Sequence, residues 1–211
     1  MSWDGPDDFL DRLQKKLIPT FGDMDAPVGG DLHLLDEGQD QKLRDAGVLI
    51  GVVDRGENDL NVILTQRPNS MPTHPGQVAL PGGKVDPTDQ GPVHAALREA
   101  KEEVGVEPTS VDLQGRADIY VTGTGFRITP VIGILPPDFI AIPDPHEVDD
   151  VFETPLSFLM NPDNHIRKTT NWKGIERSYL EMPHNGRYIW GVTAGVLRAL
   201  YERLYREDDQ T

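Results

Sequence analysis

The 211-residue chain contains no cysteine. A disulfide scaffold, a thiol nucleophile and any Cys-ligated zinc or iron–sulfur site are thereby excluded. Cations are scarce. Lys and Arg total 20 against 35 Asp and Glu, a formal net charge of −15. Affinity for nucleic acid or an anionic membrane comes from Lys and Arg meeting phosphate, so neither is an expected partner. One phosphorylated small molecule, held by a few local cations or a metal ion, remains compatible with this balance. No apolar run approaches the ~20 residues needed to cross a bilayer. The opening MSWDGPDD has neither the basic region nor the apolar stretch of a secretory signal. The expectation is a soluble, cytoplasmic protein. What the chain does have is 37% hydrophobic residues, 21 Gly and 18 Pro. That is enough for one ordinary core with many turns, and a chain of this size buries roughly 70% of its unfolded surface.

Phe9, Leu10, Leu13 and Leu17 recur at helical spacing, so residues 6–17 are read as an amphipathic helix. Residues 19–45 are polar and rich in Gly and Asp and are read as a lead-in loop. The division expected is 1–45 as helix and lead-in and 46–207 as the main domain. Residues 48–54 and 61–67 are two β-branched runs joined by a turn, a hairpin. Residues 77–83 read as a third short strand ending in a Gly pair. Residues 92–104 read as a helix, with Pro92 at its first position and Gly105 just past its end. Strands are expected at 116–121 and 129–135. A terminal helix is expected at 193–205, striped by Val196, Leu197, Leu200, Tyr201 and Leu204. Strands and helices mix without strict alternation, which predicts an α+β helix–sheet–helix sandwich with a mixed sheet.

The 92–104 helix carries the chemistry. At 100° per residue Val93, Ala96, Leu97, Ala100 and Val104 share one arc, the predicted core face. Arg98, Glu99, Glu102 and Glu103 share the opposite arc, with the acids three and four residues apart. The bland alternative is a solvated face with an Arg98–Glu102 ion pair. Three adjacent carboxylates repel, however, and only Arg98 and Lys101 stand nearby to offset them. Such repulsion is tolerated around a divalent cation, and hard oxygen ligands suit magnesium or manganese.

The stretch LPGGKVDPTDQGPVHAALREAKEEVGV resembles the box of the Nudix superfamily: Gly, five residues, Glu, seven residues, then Arg-Glu-apolar-any-Glu-Glu-any-Gly-apolar. Gly83, Arg98, Glu99, Ala100, Glu102, Glu103, Gly105 and Val106 match. Asp89 stands where the pattern has its first Glu, with eight residues rather than seven before Arg98. Aligning Gln90 instead restores the seven and loses the charge. The flanking LTQRPNSMPTHPGQVALPGG is similar to the coenzyme A pyrophosphatase branch, with Leu80 for the usual Phe, Pro68 where Ser or Ala is common and Pro72 where Arg often stands.

The resemblance implies the Nudix fold and metal-dependent hydrolysis of a nucleoside diphosphate linkage, with magnesium or manganese as cofactor. It implies Glu99, Glu102 and Glu103 as metal ligands, the Gly83 backbone as a further one, and Arg98 as the group that orients a carboxylate of the box. Gly82 and Gly83 allow close approach to phosphate. Glu147, in DPHEVDDVFETPL, is a candidate further ligand or general base, and the base itself stays open. Arg67, His74 and Gln77 are candidate substrate contacts. Lys84, Arg127, Arg167 and Lys168 are the other available cations. The substrate implied is coenzyme A or a derivative, cut to 3′,5′-ADP and 4′-phosphopantetheine. The alternatives are ADP-ribose or another nucleoside diphosphate derivative, and a non-catalytic Nudix-fold binding module. The lead-in and the terminal helix are each candidate surfaces for a homodimer.

Overall fold

In the computed structural model the described residues are 3–22, 26–32, 43–56, 59–71, 73–172 and 175–206. In chain order the elements are α1 (Pro6–Lys16), β1 (Val28–Gly30), β2 (Arg44–Asp54), β3 (Leu60–Gln66), β4 (Val78–Ala79), β5 (Gly82–Lys84) and α2 (Pro92–Val104). They continue as β6 (Asp112–Arg116), β7 (Ile119–Val121), β8 (Phe126–Leu135), β9 (Asp150–Pro155) and α3 (Leu156–Leu159). The last are β10 (Ile166–Trp172), β11 (Ile175–His184), β12 (Arg187–Trp190) and α4 (Gly191–Tyr205).

Among the described residues nine strands form a mixed sheet whose main path runs β1-β7-β8-β2-β3-β4, with β5 on β2, β6 on β8 and β9 on β3. The β1/β7 and β2/β8 pairs are parallel and the rest antiparallel. Strand β2 is apolar on both faces because helices cover both. Leu49 and Val53 pack with Ile63 and Val131 beneath Val93, Ala96, Ala100 and Val104 of α2. Ile50 and Val52 turn the other way, into a layer with Phe9, Leu13, Leu197 and Leu200 of α1 and α4. This is the helix–sheet–helix sandwich that the mixing of strands and helices without strict alternation predicts. The strands β10, β11 and β12 make a separate antiparallel sheet, anchored through Met182 and Ile189 in the α4 layer. Among the described residues no helix is long and apolar enough to cross a membrane.

Several expectations need correction. The 19–45 stretch is not all loop: Val28–Gly30 joins the sheet on β7, and β2 begins at Arg44. Residues 23–25 and 33–42 lie outside the described residues. The single strand expected at 77–83 is two, β4 and β5, split at Leu80–Pro81, where Pro81 has no N–H for a ladder. The strand expected at 116–121 is likewise split. Ala117 donates to Pro130 O at 3.0 Å, and Pro130 has no N–H to return. Strand β8 starts three residues before its expected position and α4 two residues before. Strands β9 to β12 carry too many polar residues for an apolar pattern to mark them. On α2, Leu97 is only partly buried, while Ala95 and Glu103 are buried.

Candidate functional site

Helix α2 starts at Pro92, which needs no N–H partner, and closes on Gly105 at φ +75°, whose N–H bonds Lys101 O at 3.0 Å. Its last two turns lie beside β5. Glu103 is 5% exposed and accepts from the Gly82 N–H at 3.2 Å. Burial pushes its pKa up to about 8. Glu99 and Glu147 push the same way, while the Gly82 N–H and Arg67 oppose. Glu99 lies against Gly83 so closely that a side-chain carbon there would fall 2.3 Å from its carboxylate. Any residue but glycine at 83 therefore displaces Glu99. Its pKa is also raised, chiefly by burial and partly by Glu102 and Glu147, against Arg98.

Glu147 approaches on the loop before β9, as part of a turn in which its N–H donates to Asp144 O at 3.0 Å. One ligand oxygen each from Glu99, Glu103 and Glu147 lies within 4.8 Å of the others. Three mutually repelling carboxylates, two with raised pKa, form the donor set of a hard divalent cation. The residues therefore fit a magnesium or manganese ion.

Glu102 lies outside this group of three. Its carboxylate is half exposed and pairs with Arg98 at 2.8 Å. Lys101, expected to offset the acids, turns instead to Glu107 at 2.9 Å. Arg98 makes the ion pair of the bland alternative and more besides. Its Nε and Nη2 each reach Asp89, at 3.0 Å, and its Nη1 lies 3.1 Å from Glu99. The Asp89 side chain is fully covered, and it also accepts from the Asp86 N–H at 2.8 Å and meets His94 Nδ1 at 2.8 Å. Arg98 above all holds the Asp89 carboxyl well below the usual carboxylate range. Asp89 therefore holds Arg98, and Gln90 is exposed. The longer spacing to Arg98 is absorbed in the loop, where Asp89 N–H bonds Asp86 O at 2.9 Å.

Arg67 follows β3, with its N–H on Gln77 O at 3.0 Å. Its Nε is buried and has no hydrogen-bond partner among the described residues. His74 is exposed in a turn at φ +54°. Gln77 is half-buried, its amide beside Gly191. Arg127 is tied to Asp45 at 2.6 Å and Lys168 to Glu181 at 3.4 Å, whereas Lys84 is exposed. Pro72 lies outside the described residues. A cavity of about 790 Å³ between β1, α4 and the small sheet includes Arg167, Tyr179 and Trp190, and none of the three glutamates. Sequence reasoning missed the side chains of Gln66, Asp150 and Arg187, which join one another beside the site. No local spacing marks them.

Comparison with known proteins gives the family. The NUDIX domain pattern matches residues 43–178. The chain is similar to the "Uncharacterized Nudix hydrolase NudL" of Enterobacter sp. (strain 638), 41% identical over 157 residues that cover 74% of this chain and 81% of that protein. The protein of the same name from Escherichia coli (strain K12) is 39% identical with the same coverage. Among solved structures, the Nudix hydrolase RenU of M. smegmatis overlaps 53% of this chain and 70% of its own, at 22% identity and a TM-score of 0.46. With the NUDIX pattern spanning more than half of its length and the acidic box helix folded against its glycine pair, this chain belongs to the Nudix hydrolase family.

Proposed function

We propose that the protein is a metal-dependent diphosphatase that cleaves coenzyme A or its derivatives with water, giving 3′,5′-ADP and 4′-phosphopantetheine. The observation that carries this reading is the placement of Arg67. It ends the Leu-Thr-any-Arg segment that resembles the coenzyme A branch, its Nε is buried without a partner among the described residues, and its charge acts on Glu103. A half-buried guanidinium whose Nε has no hydrogen-bond partner among the described residues, beside an acidic cluster, suits a substrate phosphate.

Glu99, Glu103 and Glu147 would hold magnesium or manganese, with the Gly83 carbonyl as a further oxygen. The metal would neutralise charge on the non-bridging phosphate oxygens and lower the pKa of water. Arg98, braced by Asp89, keeps Glu99 in place. Glu102 stands ready as a further carboxylate at the rim once it leaves Arg98. Arg67 meets the diphosphate, and His74 and Gln77 line the approach to it. Gly82 lends Glu103 its N–H.

The test is a screen of coenzyme A, dephospho-coenzyme A, ADP-ribose and nucleoside triphosphates with magnesium or manganese and with excess chelator. Cleavage of coenzyme A at its diphosphate is expected, lost with chelator and restored by metal. If the 3′-phosphate is recognised, dephospho-coenzyme A falls in kcat/KM by one charge-assisted contact, about 1.5–3 kcal/mol or roughly 10- to 150-fold. Pro72, standing where the branch often has Arg, favours the low end. The acidic cluster itself reads only a diphosphate, so ADP-ribose is the competing substrate. A kcat/KM for ADP-ribose well above that for coenzyme A overturns the substrate assignment and leaves the diphosphatase intact. Full turnover in chelator overturns the metal role, and metal binding without hydrolysis of any substrate leaves a binding module.

A further inference from the structure

Two of the three clustered carboxylates belong to α2, and their placement follows from one rigid helix. The third, Glu147, comes from a loop tied at its start to α2, where Asp144 N–H donates to Glu103 O at 3.0 Å, and it must be held at its other end too. Its last anchor is the junction of β3 and β9, where Asp149 N–H donates to Gln66 O at 2.8 Å and Gln66 pairs with Asp150 in the ladder. The side chains of Gln66 and Asp150 are bridged by Arg187 of β12, a strand of the other sheet. Arg187 Nη1 donates to Gln66 Oε1 at 2.6 Å, and its Nη2 donates to Asp150 Oδ2. Its guanidinium also lies 4.5 Å from the centre of the Phe152 ring, on the same strand as Asp150.

We propose that Arg187 is a positioning residue for the metal centre: it clamps the β3–β9 junction and so fixes the loop that presents Glu147 to Glu99 and Glu103. The inference rests on the metal-dependent reading above. Arg187 contacts Gln66, Asp150 and Phe152 rather than the glutamates, so its action passes through the loop. The chemistry asks for arginine. One planar fork gives one N–H to an amide oxygen and another to a carboxylate while its face lies on an aromatic ring. A lysine at 187 supplies a point charge that can hold Asp150 or Gln66 but lacks both the fork and the face.

The test is calorimetric titration of the metal-free protein with manganese, for the wild type, Arg187→Lys and Asp150→Asn, with melting temperatures in parallel. Partners outside the ligand shell cost 10- to 100-fold in metal affinity when changed. About 10-fold weaker manganese binding is expected for both variants, because the junction loosens without losing a ligand. The discriminating measurement is Arg187→Lys in a Glu147→Gln background. There it should weaken binding by less than about 2-fold, since the carboxylate it positions is already gone. Unchanged manganese affinity in a folded Arg187→Lys, or the same ~10-fold penalty with and without Glu147, overturns the inference. If Arg187→Lys does not fold, Asp150→Asn decides by the same two measurements. A wild type that binds no manganese overturns the metal reading beneath, whereas a wild type that binds it as tightly as the variants overturns only this step.

Discussion

The two halves of the site are built in different ways. On one side lie α2 and the loop before it. Asp89 and Arg98 are nine residues apart, Gly83 and Glu99 sixteen, Gly82 and Glu103 twenty-one. On the other side lie Gln66, the Glu147 loop and Arg187. Arg187 is 37 residues from Asp150 and 121 from Gln66. The near half closes short loops, so little chain entropy opposes it. Its charges are set by one helix on one strand pair. The far half hangs its loop between α2, where Asp144 N–H donates to Glu103 O at 3.0 Å, and β3, and only its Arg187 bridge waits for the second sheet to dock. The difference teaches that the proposed metal site has a preformed wall and an assembled one, and each can be broken separately.

The largest expected effect breaks the near wall at its foundation. Leu49 is 1% exposed between β2 and α2, so Leu49→Ala should cost ~2–5 kcal/mol of unfolding free energy in denaturant melts. Leu97, read from the sequence as core, is only partly buried, and Leu97→Ala should cost about 1 kcal/mol. Equal losses at the two positions would show that α2 sits on the sheet through a different face.

The next pair of changes compares the walls by chemistry. Glu103→Gln removes a buried charge while keeping its shape, and at least ~10²-fold loss in kcat is expected, as for loss of one transition-state charge stabiliser. Glu147 is exposed, where charge interactions are weaker. Glu147→Gln should cost about 10-fold, near 1.4 kcal/mol. A near-normal rate for Glu103→Gln would reduce the helix acids to a solvated face, and a larger loss for Glu147→Gln would make the assembled wall the dominant one.

The smallest expected effect is a pH dependence of the near wall. In the metal-free protein the Glu103 pKa stands at about 8, above its ordinary 4.5. A raised carboxyl adds stability that is complete below 4.5 and is lost as pH rises through 8, because the buried group must then carry charge. A cation favours that charged form. At a fixed, limiting manganese concentration the gain in melting temperature should therefore grow from pH 6 to pH 8. A gain that shrinks over this range would show that Glu103 meets the metal as a neutral group or not at all.

The sequence by itself determined the near wall. Pro92 and Gly105 mark the ends of α2, the apolar arc marks its core face, and the Arg and Glu spacing marks its chemistry, because a helix converts spacing into direction without help from the rest of the chain. The hairpin of β2 and β3 was legible from an equally local pattern. Tertiary structure decided the rest. Which residue of the loop meets Arg98 depended on how one extra residue folds, and Asp89 rather than Gln90 lies under the guanidinium. Which glutamates converge depended on burial: Glu103 turns under Gly82, while Glu102 turns out to Arg98. Strands β9 to β12 left no apolar alternation to read, since their partners, not their composition, make them strands. The bridge from Arg187 to Gln66 and Asp150 joins residues with no common local pattern, and only the docking of one sheet on another brings the three together.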